Sequence, residues 1–116
     1  MTNRFRLAAA AAVLIFPLTV LAHAKLLSTS PAAGAELAAA PKVLTLEFNE
    51  SVQLAVLKVS SAGKEVPVPY DSGASASHVA VPLPALAPGS YQVRWSALTV
   101  DDGHVVKGVF SFVIKP

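Results

Sequence analysis

The stretch LAPGSYQVRW, residues 86–95, shows most directly which fold the chain adopts. Its first half contains the proline and glycine of a tight connection. Its second half alternates Tyr91, Val93 and Trp95 with polar residues, which is typical of a strand with one buried face. A tyrosine that opens a strand after such a connection is typical of a tyrosine corner, in which the hydroxyl bonds back to the preceding loop. The stretch therefore predicts antiparallel strands in a Greek-key arrangement.

The same two-residue alternation recurs along most of the chain. Turn-forming residues separate the alternating segments, as at Ser61–Lys64, and the small polar residues of Asp71–Ser77 predict a loop. No segment after residue 22 keeps a 3.6-residue period, apart from a possible single turn of helix over Ala35–Ala40. About seven strands fit the pattern, which predicts an all-β domain, a small Greek-key β-sandwich or barrel.

The first 22 residues differ from the rest and predict a cleaved signal peptide. Arg4 and Arg6 form a positive head, an apolar run follows over Leu7–Val20, and Ala22 is a small residue suited to cleavage. The alternative, a membrane anchor, is disfavoured because the run is shorter than the ~20 residues that span a bilayer. We expect cleavage between Ala22 and His23, export to the periplasm, and a mature domain, residues 23–116, that does not span the membrane.

Cleavage would also change the charge of the protein. Nine lysines and arginines would fall to seven, which matches the seven aspartates and glutamates. A neutral domain without a basic patch predicts no nucleic-acid partner. The chain contains no cysteine, so disulfides, cysteine–zinc sites and cysteine nucleophiles are excluded.

Histidines at two places suggest a metal site. If cleavage occurs before His23, its α-amine and imidazole can chelate one ion together, and nitrogen donors of this kind suit Cu(II). Asp102 and His104 are two residues apart, which would place both side chains on one face of an extended segment. They could complete a site, or one could hold the other in orientation. The alternative is a polar turn, in which Asp102 caps backbone amides and Gly103 supplies a positive φ.

Four segments in order make the chain resemble the CopC family of periplasmic copper-binding proteins. They are HAKLLSTSPAAGAEL, APKVLTLEFNESV, LAPGSYQVRW and DDGHVVKGVFSFVI. The resemblance covers essentially the whole predicted mature domain. It implies an Ig-like β-sandwich that binds copper at one end. It also implies a role in copper resistance, in buffering, or in delivery to an inner-membrane copper transport protein.

The resemblance also implies which residues bind the metal. His23 matches the family's N-terminal histidine, which binds through its amine and one ring nitrogen. His104 matches the histidine of an Asp-x-His motif, and Asp102 matches its aspartate, a ligand or close axial neighbour. Glu50 matches a glutamate close to the metal, which we expect to be a weak ligand or an acceptor that orients the amine.

The chain departs from the family pattern in two ways. One extra residue separates Trp95 from the Asp-x-His motif, so Asp101 is an alternative to Asp102. Some family members also carry a methionine-rich Cu(I) site, whereas the only methionine here is Met1. Without soft sulfur ligands we expect one Cu(II) per chain and no thioether Cu(I) site.

Other candidate residues have simpler interpretations. We expect His78 to be an exposed loop histidine rather than an accessory ligand, and Tyr91 and Trp95 to be core residues. No serine has a histidine at identifiable catalytic spacing, so we predict a binding protein, with no catalytic residues. Two alternatives remain: a copper-dependent oxidative enzyme of the N-terminal-histidine type, and a metal-free Ig-like interaction module.

Overall fold

The structure is a computed structural model, and it describes residues 24–116. Every regular element in that range is a β-strand, which confirms the all-β prediction. No helix within it is long and apolar enough to cross a membrane. The predicted signal peptide and His23 lie outside the described residues. The strands are β1 (Leu26–Ser30), β2 (Ala35–Leu37), β3 (Val43–Ser61), β4 (Lys64–Val66), β5 (Ser75–Pro82), β6 (Gly89–Thr99) and β7 (Val105–Ile114).

Strand β3 organises the fold because it pairs antiparallel with β1, β4, β5 and β6. The alternating segments 44–48 and 52–59 of the sequence are two parts of this one strand of 19 residues. Its buried side chains change phase between Leu54 and Leu57, where the pairing with β6 has an irregularity. An extra residue in one strand moves the following side chains to the opposite face. The bulge therefore lets one strand contribute to both parts of a curled sheet.

The remaining strands complete a sheet in the order β1-β3-β6-β7-β2. Strand β2 runs parallel to β7, with Ala35 opposite Phe112. The helical turn expected over Ala35–Ala40 is therefore wrong. A segment this short gains little from helix formation, and pairing with the edge of β7 supplies its backbone hydrogen bonds instead.

The core contains the residues predicted from the opening stretch. Tyr91 and Trp95 are both buried, and the Tyr91 hydroxyl donates to the carbonyl oxygen of Ala87 at 2.6 Å, which forms the predicted tyrosine corner. The Trp95 ring packs edge-on against Phe48, with 5.3 Å between ring centroids. Gly108 faces Trp95 across the strands, and a Cβ on it would lie 3.0 Å from the indole. The absence of a side chain there leaves room for the tryptophan.

The turn predicted at Ser61–Lys64 is a β-hairpin between β3 and β4. Ala62 and Gly63 have φ values of 53° and 78°, the left-handed conformation that a two-residue hairpin turn requires. Strand β4 ends immediately before Pro67, which has no amide hydrogen for further pairing.

Candidate metal centre

The predicted Asp-x-His segment forms the turn between β6 and β7. The Thr99 amide donates to the His104 carbonyl at 2.9 Å, and the Gly103 amide donates to the Thr99 carbonyl at 3.0 Å. Gly103 has a φ of 71°, a conformation that glycine adopts without steric cost. The backbone therefore closes a tight loop rather than the extended segment considered from the spacing.

Within this turn, Asp102 and His104 are in direct contact. His104 Nδ1 lies 2.8 Å from Asp102 Oδ2, and the His104 backbone amide donates to Asp102 Oδ1 at 3.1 Å. The Thr99 hydroxyl also donates to Asp102 Oδ1. The turn thus contains two of the interactions expected from the sequence. Asp102 caps a backbone amide through one oxygen, and its second oxygen orients the His104 ring. Asp102, not the neighbouring Asp101, makes this contact.

The environment of Asp102 favours its ionised form. The hydrogen bond from the Thr99 hydroxyl, followed by those from the His104 side chain and backbone amide, lowers the pKa of the Asp102 carboxyl well below its ordinary range. The group therefore remains a carboxylate even in mildly acidic solution. An ionised carboxylate next to an imidazole suits a divalent cation.

Strand β3 connects this turn to the beginning of the described chain. The Val100 amide donates to the Ser51 carbonyl at 3.3 Å. Two residues earlier on β3, the Asn49 side-chain oxygen accepts from the Lys25 amide at 2.7 Å, and the Asn49 amide donates to the Lys25 carbonyl at 3.0 Å. Ala24 is buried. Residues 24–25, the N-terminal arm, and the Asp102–His104 turn are therefore attached to the same short part of β3.

The structure does not bring the other predicted residues into this contact. Glu50 lies on β3 next to Asn49 and is half-buried. Among residues 24–116, no group of three or more histidine, cysteine or acidic side chains could hold a metal ion. His78 is exposed as expected, but it lies within β5 rather than in a loop, and its Nδ1 is 2.5 Å from Glu47 Oε2. His23 lies outside the described part of the chain, so its role stays a prediction.

Two residues of this region were missed in the sequence. Thr99 and Asn49 make hydrogen bonds that hold the turn and the arm, respectively. Thr99 did leave a signal, because it extends the buried alternation of Tyr91 to Ala97 with a polar residue. Asn49 is an exposed residue whose partner is 24 positions away, and no local pattern marks it.

Comparison with known proteins identifies the family. The CopC domain model matches residues 26–115. Protein YobA of Escherichia coli (strain K12) is 35% identical over 119 residues, which covers 97% of this chain and 94% of YobA. Copper transport protein CutJ of Bacillus subtilis (strain 168) is 33% identical over 108 residues, or 88% of this chain and 20% of CutJ.

Two solved structures share the fold. The crystal structure of CopC from Methylosinus trichosporium OB3b has a TM-score of 0.67 and 32% identity, covering 81% of this chain and 95% of that one. PcoC, a copper resistance protein from Escherichia coli, has a TM-score of 0.63 and 27% identity, covering 78% of this chain and 99% of PcoC. The chain therefore belongs to the CopC family, whose members are copper-binding proteins and not enzymes.

Proposed function

We propose that the chain is a periplasmic protein that binds one Cu(II) ion as cargo. The α-amine and imidazole of a processed His23 would supply two nitrogen donors, and the imidazole of His104 would supply a third. Asp102 would hold His104 and place a carboxylate beside the ion. Glu50 would act as a weak ligand or as an acceptor for the amine.

One observation carries this proposal. The Asn49–Lys25 and Ser51–Val100 hydrogen bonds attach the N-terminal arm and the Asp102–His104 turn to β3 at positions two residues apart. That separation is roughly 7 Å along an extended strand. Because His23 is joined to Ala24 by one peptide bond, we propose that the amine of a processed His23 would reach the turn. Among residues 24–116 no group of three or more histidine, cysteine or acidic side chains could hold a metal ion, so the proposed site takes its remaining donors from His23.

The choice of Cu(II) over Cu(I) is supported by the available ligands. Beyond Met1 the sequence contains neither methionine nor cysteine, so the soft sulfur donors that Cu(I) prefers are absent. Imidazole, amine and carboxylate groups suit Cu(II) in tetragonal geometry.

Delivery to an inner-membrane copper transport protein is the role that we favour for the bound ion. In CutJ, a copper transport protein, the region similar to this chain makes up 20% of the molecule. The presence of a similar region in a larger copper transport protein supports a link between this domain and copper transport. Copper resistance, as in PcoC, is compatible with the same binding chemistry.

The test compares three forms of the protein in a Cu(II) titration. The first begins at His23, the second carries a folded carrier protein fused directly before His23, and the third is His23→Ala. We expect the first to bind one Cu(II) with d–d absorption and nitrogen hyperfine structure in its EPR spectrum. The fusion should bind much more weakly because its His23 has no free amine, and His23→Ala should lose the ring donor. Equal affinities and spectra for the first two forms, or no Cu(II) signal in the first, would overturn the proposal.

Mass mapping of the exported protein tests the processing step separately. We expect a mature chain that begins at His23. A different first residue would remove the amine-plus-imidazole chelate and with it this site.

A further inference from the structure

Thr99 stands apart from the other polar residues of the domain. Among residues 24–116 it is the one threonine, serine, amide or charged side chain that is buried, with 2% of its surface exposed. The preceding inward-facing residues of β6 are Tyr91, Val93, Trp95 and Ala97. A buried hydroxyl costs free energy unless it is hydrogen-bonded. The hydrogen-bond partners of Thr99 therefore indicate what this residue does in the structure.

All of the hydrogen bonds described for the Thr99 side chain lead to the Asp102–His104 turn. The hydroxyl donates to Asp102 Oδ1 and accepts from the His104 backbone amide at 3.0 Å. The Thr99 backbone closes the same turn through its bonds with Gly103 and the His104 carbonyl. Asp102 in turn contacts His104 Nδ1 through its other oxygen. A single buried hydroxyl thus fixes the carboxylate that orients the histidine ring.

We infer that Thr99 is a positioning residue for the copper ligands, an inference that rests on the proposed function. Its own oxygen is buried beneath the turn and does not need to touch the ion. Its effect would pass through Asp102 to the angle and position of the His104 ring. Loss of such an outer partner typically lowers metal affinity about 10- to 100-fold.

The substitutions Thr99→Val and Thr99→Ser separate positioning from stability. Valine keeps the shape of threonine and its packing but removes the hydroxyl, whereas serine keeps the hydroxyl and leaves a methyl-sized cavity. We expect Thr99→Val to bind Cu(II) about 10- to 100-fold more weakly with an altered EPR spectrum. Thr99→Ser should keep the wild-type spectrum and nearly the wild-type affinity even if it melts at a lower temperature.

Thr29→Val is the matched control. The Thr29 hydroxyl is half-buried and donates to the Pro31 carbonyl at 2.8 Å, on a different loop. This variant should lose one threonine hydroxyl bond without a change in copper binding. If copper affinity instead follows the melting temperature across all three variants, Thr99 is merely structural and the inference is overturned. Wild-type affinity and spectrum in folded Thr99→Val would overturn it as well.

A measurement on the copper-free protein keeps this test independent of the proposed function. Nitrogen-15 NMR of the His104 ring reports its tautomer and its contact with Asp102. We expect Thr99→Val to change the Nδ1 signal of His104, and Thr99→Ser and Thr29→Val to leave it unchanged. An unchanged His104 signal in Thr99→Val would overturn the inference. Failure of the wild-type protein to bind Cu(II) would instead overturn the proposed function.

Discussion

Two histidine–carboxylate pairs on this domain look alike when each is taken by itself. In the pair of Asp102 and His104, Nδ1 and the carboxylate oxygen are 2.8 Å apart, and the side chains are 46% and 57% exposed. In the pair of Glu47 and His78 the distance is 2.5 Å, and the side chains are 45% and 59% exposed. Exposed pairs of this kind contribute little to stability. Distance and exposure therefore do not distinguish a ligand pair from an ordinary surface contact.

The surroundings of the two pairs do differ. Glu47 and His78 lie opposite each other on β3 and β5, where strand pairing alone brings them together. Asp102 and His104 share one turn, and a buried threonine bonds to that turn. The turn is also attached to the part of β3 that holds the N-terminal arm. We propose that the fixed carboxylate and additional donors from His23, rather than the pair itself, would make the first pair part of a metal site.

Removal of each histidine gives the largest expected difference between the two pairs. His104→Ala should weaken Cu(II) binding by more than about 100-fold, because it would remove a proposed ligand rather than an outer partner. His78→Ala should change the affinity less than about twofold, within the range of an exposed surface contact. Competition with a Cu(II) chelator measures both affinities, and EPR should show the loss of a nitrogen donor only in His104→Ala. Equal losses in the two variants would contradict the distinction between the pairs.

The N-terminal arm should matter for the first pair and not for the second. Asn49→Ala removes the side-chain acceptor for the Lys25 amide and should weaken Cu(II) binding about fivefold, since one such hydrogen bond is worth ~1 kcal/mol. Asn49→Asp keeps an acceptor oxygen and should bind nearly as the wild type does. Gln53→Ala, a change on the same strand away from the arm, is the control. Chelator competition measures these affinities, and a fivefold loss in Gln53→Ala would argue against a specific role of the arm.

The smallest expected effect is on the acid stability of the copper-free protein. The pKa of Asp102 is lowered in the folded state, so its stabilising contribution is complete above the unfolded pKa of roughly 4 and is lost as the pH falls below it. Asp102→Asn should therefore be less stable than the wild type at neutral pH and should approach it as the pH falls toward 2. Urea unfolding at several pH values measures this difference, with Glu47→Gln as the matched change in the other pair. A constant difference between Asp102→Asn and the wild type at every pH would contradict the expectation.

Much of the fold could be predicted from local patterns. The alternation of Tyr91, Val93 and Trp95 identified a buried face, and the tyrosine corner and the Ser61–Lys64 turn were confirmed. The strand β2 was missed because Ala35–Leu37 has no alternation of its own and depends on β7 for its hydrogen bonds. The bulge in β3 was missed because it depends on the pairing with β6.

The candidate site, like the fold, could be predicted only in part from the sequence. The contact between Asp102 and His104 was one of the arrangements that their spacing allowed, because two residues in one turn are near each other in any fold. The spacing did not predict that Thr99 would hold Asp102, nor that His78 would contact Glu47 across two strands. Those contacts depend on strand register, which brings together residues distant in sequence.

By itself, the sequence determined the all-β class, which nitrogen and oxygen side chains could bind a metal, and the absence of sulfur ligands beyond Met1. These follow from side-chain chemistry and from the two-residue period of a strand, both of which are local. Only the tertiary structure decided that the N-terminal arm and the Asp102–His104 turn meet the same part of β3, and that a buried Thr99 fixes the turn. The physical reason is that hydrogen bonds between strands and burial in a shared core depend on how distant segments pair.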